Sequence, residues 1–237
     1  MTDNDLLVMV PTRGRRAQCE RLLKSFTETA TCADLLFILD PDDTDTWTGM
    51  DWGDAATAVL EPREYLVGKL NKTALAMADL YPVLAWFGDD CAFQTPGWDQ
   101  LMLATLAEDL GGHGWVYPDD KRRIDVPEHW MCSSDVVQAL GWFANPVLSH
   151  YFIDNSIADL GKRADMIRWC PQAVIEHQHY SVTPGTERDE VYRETEDAFG
   201  ESDRQAFEEW RSSQLANEVS VLRREFSPDV AWVLSRV

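Results

Sequence analysis

The chain has 237 residues, 45% of them hydrophobic and 26% charged, enough for one sizeable core. Its 41 Asp and Glu against 21 Lys and Arg give a formal charge of −20, a field that repels nucleic-acid backbones and anionic membranes and disfavours a general DNA-coating role. The 10 Trp, 6 Tyr and 9 Phe exclude intrinsic disorder, because they supply ample apolar surface to bury.

Residues 6–10 form a short apolar run closed by Pro11, which suits a strand buried on both faces. Cys19, Leu22, Leu23, Phe26 and Ala30 then recur at helical spacing, and residues 35–39 form a second buried strand. A Trp-containing loop follows over 40–54, with six Asp and no Lys or Arg. Residues 57–60 suit a third strand, 69–80 a helix stopped by Pro82, and 83–87 a fourth strand running into Gly88-Asp89-Asp90. Trp98, Leu101, Met102, Leu106 and Leu110 mark another helix, ended by Gly111-Gly112. Beyond it come a Trp-rich stretch, a helix near 133–140, a segment at 154–161 and a strand at 173–177.

Alternation of strands and helices predicts an α/β fold on a mainly parallel, doubly wound sheet. Past Gly185, residues 187–209 hold ten acids and three arginines and read as solvated surface. Leu215, Val219, Leu222 and Phe226 trace a helical stripe expected to pack on the body. One domain over 1–237 with a C-terminal helical tail is the economical expectation. The first residues, Met1-Thr2-Asp3-Asn4-Asp5, lack the basic and apolar regions of a signal peptide, and no apolar run approaches the roughly 20 residues that span a bilayer. The five cysteines are scattered without a CxxC, so reduced thiols and a cytoplasmic location are expected.

Ligands on open parallel sheets collect at the carboxyl ends of the strands. Three such ends carry chemistry here: Pro11-Thr12-Arg13, Asp40, and Gly88-Asp89-Asp90. Adjacent carboxylates suit a hard cation shared with substrate phosphates, and equally suit a solvated turn. His177 and His179 lie two apart on an extended segment and so face one side, as a metal pair or as structural histidines. Asp154, among Tyr151, Phe152 and Ile153, is either a general base tuned by apolar walls or a helix N-cap. No Walker A, GxGxxG, GxSxG or HExxH sequence is present, which removes the main support for several hydrolase and dehydrogenase readings.

The order of these pieces resembles the GT-A glycosyltransferases, especially the family-2-like group found in bacteria and their phages. Val10-Pro11-Thr12-Arg13-Gly14-Arg15 is similar to that group's opening turn, and Asp40 to the acid after its second strand. Gly68-Lys69-Leu70-Asn71 precedes a DxD-like Phe87-Gly88-Asp89-Asp90, followed by Thr95-Pro96-Gly97-Trp98. Leu140-Gly141-Trp142-Phe143, Asp154-Asn155-Ser156-Ile157 and Val174-Ile175-Glu176-His177-Gln178-His179 resemble three later motifs, so the likeness spans about 6–180. Gly88 and Ile153 depart from it, each standing where the family usually has an acid.

The resemblance implies a GT-A fold, with about 1–118 binding a nucleotide sugar, 119–185 serving acceptor and catalysis, and 186–237 as a helical extension. It implies a metal-dependent, inverting transfer from a nucleoside-diphosphate sugar to an acceptor hydroxyl. Asp90 with His177 or His179 would hold Mn²⁺ or Mg²⁺, and Asp89 would contact the ribose or the metal's surroundings. Pro11, Thr12, Arg13, Asp40, Lys69 and Asn71 would hold the nucleotide, and Asp154 would be the base. Trp98, Trp130 and Trp142 are candidates to stack on sugars, and Asp189 and Tyr192 to close over the donor. The acceptor is left open among protein, glycan, small molecule and, less readily, modified-base DNA. The basic clusters Lys121-Arg122-Arg123 and Arg13/Arg15/Arg16 read as surface solvation or diphosphate binding. Competing readings are an inactive scaffold that only binds a nucleotide sugar, a sugar nucleotidyltransferase, for which the first loop is poor in glycine, and a metal phosphoesterase.

Overall fold

The computed structural model describes residues 4–59, 62–179 and 190–226, with side chains from 193 onward in the last segment. Eight strands form the sheet: β1 Leu6–Pro11, β2 Ala33–Leu39, β3 Ala56–Val59, β4 Val83–Trp86, β5 Cys91–Phe93, β6 Trp115–Asp119, β7 Trp130–Ser133 and β8 Ile167–His177. Their order is β3-β2-β1-β4-β7-β6-β8-β5. β1 pairs in parallel with β2 and β4, β2 with β3, and β6 with β8. β7 runs antiparallel to both β4 and β6, and β5 antiparallel to β8. Six strands therefore share one direction and two oppose it. The mainly parallel expectation holds, and the sheet is mixed in its second half.

The apolar run of β1 is explained by its two faces. Leu6, Val8 and Val10 join Cys19, Leu22 and Phe26 of α1 (Arg16–Thr29) and Trp98 and Met102 of α4 (Trp98–Leu110). Leu7 and Met9 join the other layer, with Val67 and Leu70 of α3 (Leu66–Met77), Val136 and Val137 of α5 (Ser134–Leu140) and Ile157 and Leu160 of α6 (Ile153–Ala164). Each such aliphatic side chain, fully buried, contributes about 1.5–3 kcal/mol. The short helix α2, Thr44–Trp47, interrupts the acidic loop after β2. The remaining two helices are α7, Glu190–Ser213, and α8, Leu215–Phe226. Leu215, Val219 and Leu222 of α8 are buried in the second layer, so the C-terminal stripe packs on the body as expected. Phe207 and Trp210 of α7 are buried there too. Among the described residues, no helix is long and apolar enough to cross a membrane.

The strands missing from the sequence reading are β5, β6 and β7, the second and third inside the Trp-rich stretch. Trp98 and Trp130 are fully buried and Trp142 nearly so, which makes all three core rather than sugar platforms. Of the three strands, β7 does most to shape the edge of the sheet. Because Trp86 pairs with Trp130, the residues just before β7 meet those just after β4 at the edge where β1, β2 and β8 also end.

Candidate active site

At that edge lies a cavity of about 490 Å³. Pro11, Thr12, Arg13, Asp40, Lys69, Asp89, Asp90, Asp154, His177 and His179 all line it, although they are spread over 169 positions of sequence. Asn71 does not line it. Its side-chain oxygen accepts from the Phe143 and Ala144 N–H groups and its amide donates to the Ala144 carbonyl, so it ties α3 to the loop after α5.

Asp40, 1% exposed at the end of β2, gathers the cationic side of the cavity. Lys69 Nζ lies 2.7 Å from it, Arg13 3.3 Å and Arg63 3.8 Å. Arg13 also makes a fork on Asp42 at 2.7 and 3.0 Å, and this hydrogen bonding holds its pKa above the ordinary guanidinium value. Burial of a carboxylate among three cations is the arrangement that keeps its charge tolerable. Asp89 is likewise buried and engaged: Thr12 Oγ1 donates to it at 2.8 Å and Arg15 at 3.0 Å. Burial pushes Asp89 above the usual carboxylate range, with Arg15 pulling it back. Asp89 and Thr12 thus fasten Arg15 in the wall.

The other side is built around His177, at the end of β8. Its Nδ1 is 2.7 Å from Glu128 Oε2 and its Nε2 is 3.4 Å from Asp90 Oδ2. Burial alone would lower its pKa, but Asp90 and Glu128 carry it to about 9. Arg122 donates to Glu128 at 2.7 Å, completing the support. Of the two sequence-predicted histidines, His177 places its Nε2 3.4 Å from Asp90. The His179 ring sits 5.3 Å from that of His177, and burial lowers its pKa to about 4. His129, just before β7, is buried with its pKa pushed down to about 3 by desolvation.

Asp154 lies in the first turn of α6, where its carboxylate accepts from the Asn155 N–H at 2.8 Å. It is not the N-cap, because the helix begins at Ile153. Desolvation raises its pKa to about 6, within reach of a general base at neutral pH. Phe152 ahead of it has φ +62°, a left-handed conformation that costs a non-glycine residue roughly 1 kcal/mol or more. Two contacts from α7 hold it. Asp203, 2% exposed, accepts the N–H groups of Ser149, His150 and Tyr151 at 2.8–3.0 Å. Phe207 stacks on Phe152, with ring centres 5.5 Å apart. Glu194, Thr195 and Glu196 of the same helix line the cavity, with both glutamates exposed, so part of the acidic C-terminal stretch borders the site.

Sequence reasoning missed Arg63, Glu128, His129 and His150, treated Arg15 and Arg122 only as members of basic clusters, and named Tyr151 only as an aromatic neighbour of Asp154. Arg122 faces the cavity, while Lys121 and Arg123 pair with Asp119 and Asp125, so the 121–123 cluster offers no open basic patch. Glu128-His129 carried no periodic signal, and its meaning comes from the reversed strand it precedes. Asp189 and the Tyr192 side chain lie outside the described residues.

No family model matches the chain, and no curated protein matches it in sequence. Solved structures do. One is the mannosyltransferase PcManGT from Pyrobaculum calidifontis, in complex with GDP-Man and Mn²⁺, with TM-score 0.59 and 14% identity over 92% of this chain and 72% of that one. Another is glucosyl-3-phosphoglycerate synthase from Mycobacterium tuberculosis, in complex with Mn²⁺, UDP and glucosyl-3-phosphoglycerate, with TM-score 0.59 and 12% identity over 86% and 78%. The chain has the GT-A fold. At such identities the likeness carries the architecture, and the chemistry must be argued from the residues.

Proposed function

We propose that this protein is a metal-dependent, inverting glycosyltransferase that moves a sugar from a nucleoside-diphosphate sugar to an acceptor hydroxyl. The observation that carries the reading is the make-up of one cavity: a cationic wall of Arg13, Arg15 and Lys69, an Asp90–His177 pair, and an Asp154 whose pKa is raised to about 6. The fold neighbours crystallised with Mn²⁺ and GDP-Man or UDP support it.

Pro11, Thr12, Arg13, Asp40 and Lys69 form the nucleotide side, with Arg15, fixed by Asp89, reaching the diphosphate. Asn71 serves this side only indirectly, through the loop it holds. The carboxylate of Asp90 and the imidazole of His177, 3.4 Å apart, fit a divalent cation, Mn²⁺ or Mg²⁺. Held there, such an ion would supply positive charge to offset what develops on the departing diphosphate. Glu128 fixes the orientation of the His177 ring for that task. Asp154 takes the proton of the acceptor hydroxyl as its oxygen attacks the anomeric carbon, and the bond to the diphosphate breaks on the opposite face. We assign residues 1–118 to the donor, 119–185 to acceptor and catalysis, and 186–237 to a helical extension whose α7 borders the acceptor end.

A thermal-shift screen of nucleotide sugars with and without Mn²⁺ tests the reading, because a ligand that binds only the folded state raises its melting temperature. Stabilisation by a nucleotide sugar, larger with Mn²⁺ and lost in Asp90→Ala, is the expected result. No stabilisation by any nucleotide sugar would sink it.

A further inference from the structure

Gly88 stands where an acid would open the Asp-rich motif, and two side chains take up the room that acid would need. A β-carbon at Gly88 would meet Asp90 Oδ1 at 2.6 Å and His129 Nε2 at 3.1 Å. The two come from different elements, Asp90 from the turn between β4 and β5, His129 from the residue before β7. His129 is 3% exposed yet borders the cavity. Its ring stacks on Phe87 at 5.7 Å, lies 4.9 Å from that of Trp86 and meets His177 edge-on at 4.7 Å. Asp90 therefore sits between two imidazoles: Oδ2 is near His177, and Oδ1 is on the side of His129. Among the described residues, Asp90, Cys91 and His129 have ligand atoms that all lie within 4.8 Å of one another, and His177 adjoins this group through Asp90 Oδ2 at 3.4 Å.

We infer that His129 is a third protein ligand of the divalent cation, beside Asp90 and His177, in the place left by the acid missing at position 88. The inference rests on the cation-dependent reading of the cavity and adds to it which residues hold the ion. Replacing a carboxylate by an imidazole removes one negative charge from the site and makes the donor set one oxygen and two nitrogens. Mg²⁺ prefers oxygen and near-ideal octahedral surroundings, so this set favours Mn²⁺ and later transition ions over Mg²⁺. It also leaves coordination positions for diphosphate oxygens. Cys91 Sγ, 3.6 Å from both ring nitrogens of His129, is a packing partner of the ring, since Mn²⁺ takes oxygen and nitrogen ligands in preference to a thiol. Trp86 and Phe87 hold the ring in place before any ion arrives, so little side-chain entropy is lost on binding.

Pulsed electron paramagnetic resonance on the full chain, labelled with ¹⁵N-histidine and loaded with Mn²⁺ alone, counts the imidazole nitrogens on the ion without any substitution. Two coupled nitrogens are expected, falling to one in His129→Gln and staying at two in His179→Gln. One nitrogen in the unsubstituted protein would overturn the assignment of His129 while leaving a cation site at Asp90 and His177. Loss of a nitrogen in His179→Gln but not in His129→Gln would give the second imidazole to His179. No bound Mn²⁺ would remove this inference and the cation-dependent reading together. In a Mn²⁺ titration, His129→Gln should weaken binding at least about tenfold, and an unchanged affinity in the folded variant would count against the ligand.

Discussion

Asp154 is the residue whose ionisation most directly limits the proposed transfer. Its folded pKa of about 6 lies above the ordinary 3.8, so the folded protein holds this proton more tightly than the unfolded chain. The cost of ionising it is absent below pH 3.8, grows between 3.8 and about 6, and is fully present above that. Asp154→Asn removes the cost, and so should stabilise the protein at pH 8 by on the order of 1–3 kcal/mol. At pH 4 the gain should nearly vanish. Urea denaturation at the two pH values measures the difference, and an equal effect at both would show that desolvation is not its origin. The same variant should keep donor affinity and lose at least about 10²-fold in turnover. In the unsubstituted protein, turnover should fall as the pH drops through about 6, because the base must be ionised to take a proton. At this scale the sequence was informative about which residue types converge, since Asp40, Asp90, Asp154 and His177 follow apolar runs or aromatic clusters. It was silent on partners. Nothing in a linear reading distinguishes Asp89, occupied by Thr12 and Arg15, from Asp90 beside it.

The elements that sequence made legible are those with one clear physical signature. β1, β2 and β4 are apolar runs ended by proline or by an acidic turn, and α1, α4 and α8 show a helical stripe. β5 and β7 are three and four residues long, too short to show a period, and every residue of β7 is buried, so alternation is absent. α7 was hidden differently. Its acids dominate the composition, while its packing depends on Asp203, Phe207 and Trp210, spaced along one face among solvated neighbours. Asp203 is the acid that does not belong to that solvated set. Three backbone donors converge on it from the segment that leads into α6. Asp203→Asn keeps the size of the side chain but turns a charged acceptor of three hydrogen bonds into an amide with one oxygen. It should cost about 1–3 kcal/mol in stability, seen as a lower urea midpoint. It should also release the strained Phe152 and misplace Asp154, lowering kcat while leaving the KM for the nucleotide sugar nearly unchanged. A drop in stability with kcat intact would make α7 a structural brace without influence on the base.

Over the whole molecule, the excess of negative charge and the cationic wall of the cavity oppose each other. The chain carries −20, yet the proposed donor, a nucleotide sugar, would bring further negative charge to the site. Among the described residues, the lining contains five Arg and Lys against eight Asp and Glu, several of the latter already engaged in holding the cations. Attraction of the donor is therefore local, through contacts of 3–4 Å, whereas repulsion is spread over the surface and acts at long range. Salt separates the two. Going from 0.01 to 0.15 M shortens the screening length from about 30 to about 8 Å, which mutes the distant surface charges and barely touches partly buried pairs. With the cation site saturated, the association rate of the nucleotide sugar should rise across this range, by roughly two- to tenfold, and the dissociation rate should change little. Stopped-flow binding at constant Mn²⁺ occupancy provides both rates. A fall in the association rate would mean that Arg13, Arg15 and Lys69 govern the approach from solution, and that the −20 is too remote from the cavity mouth to matter.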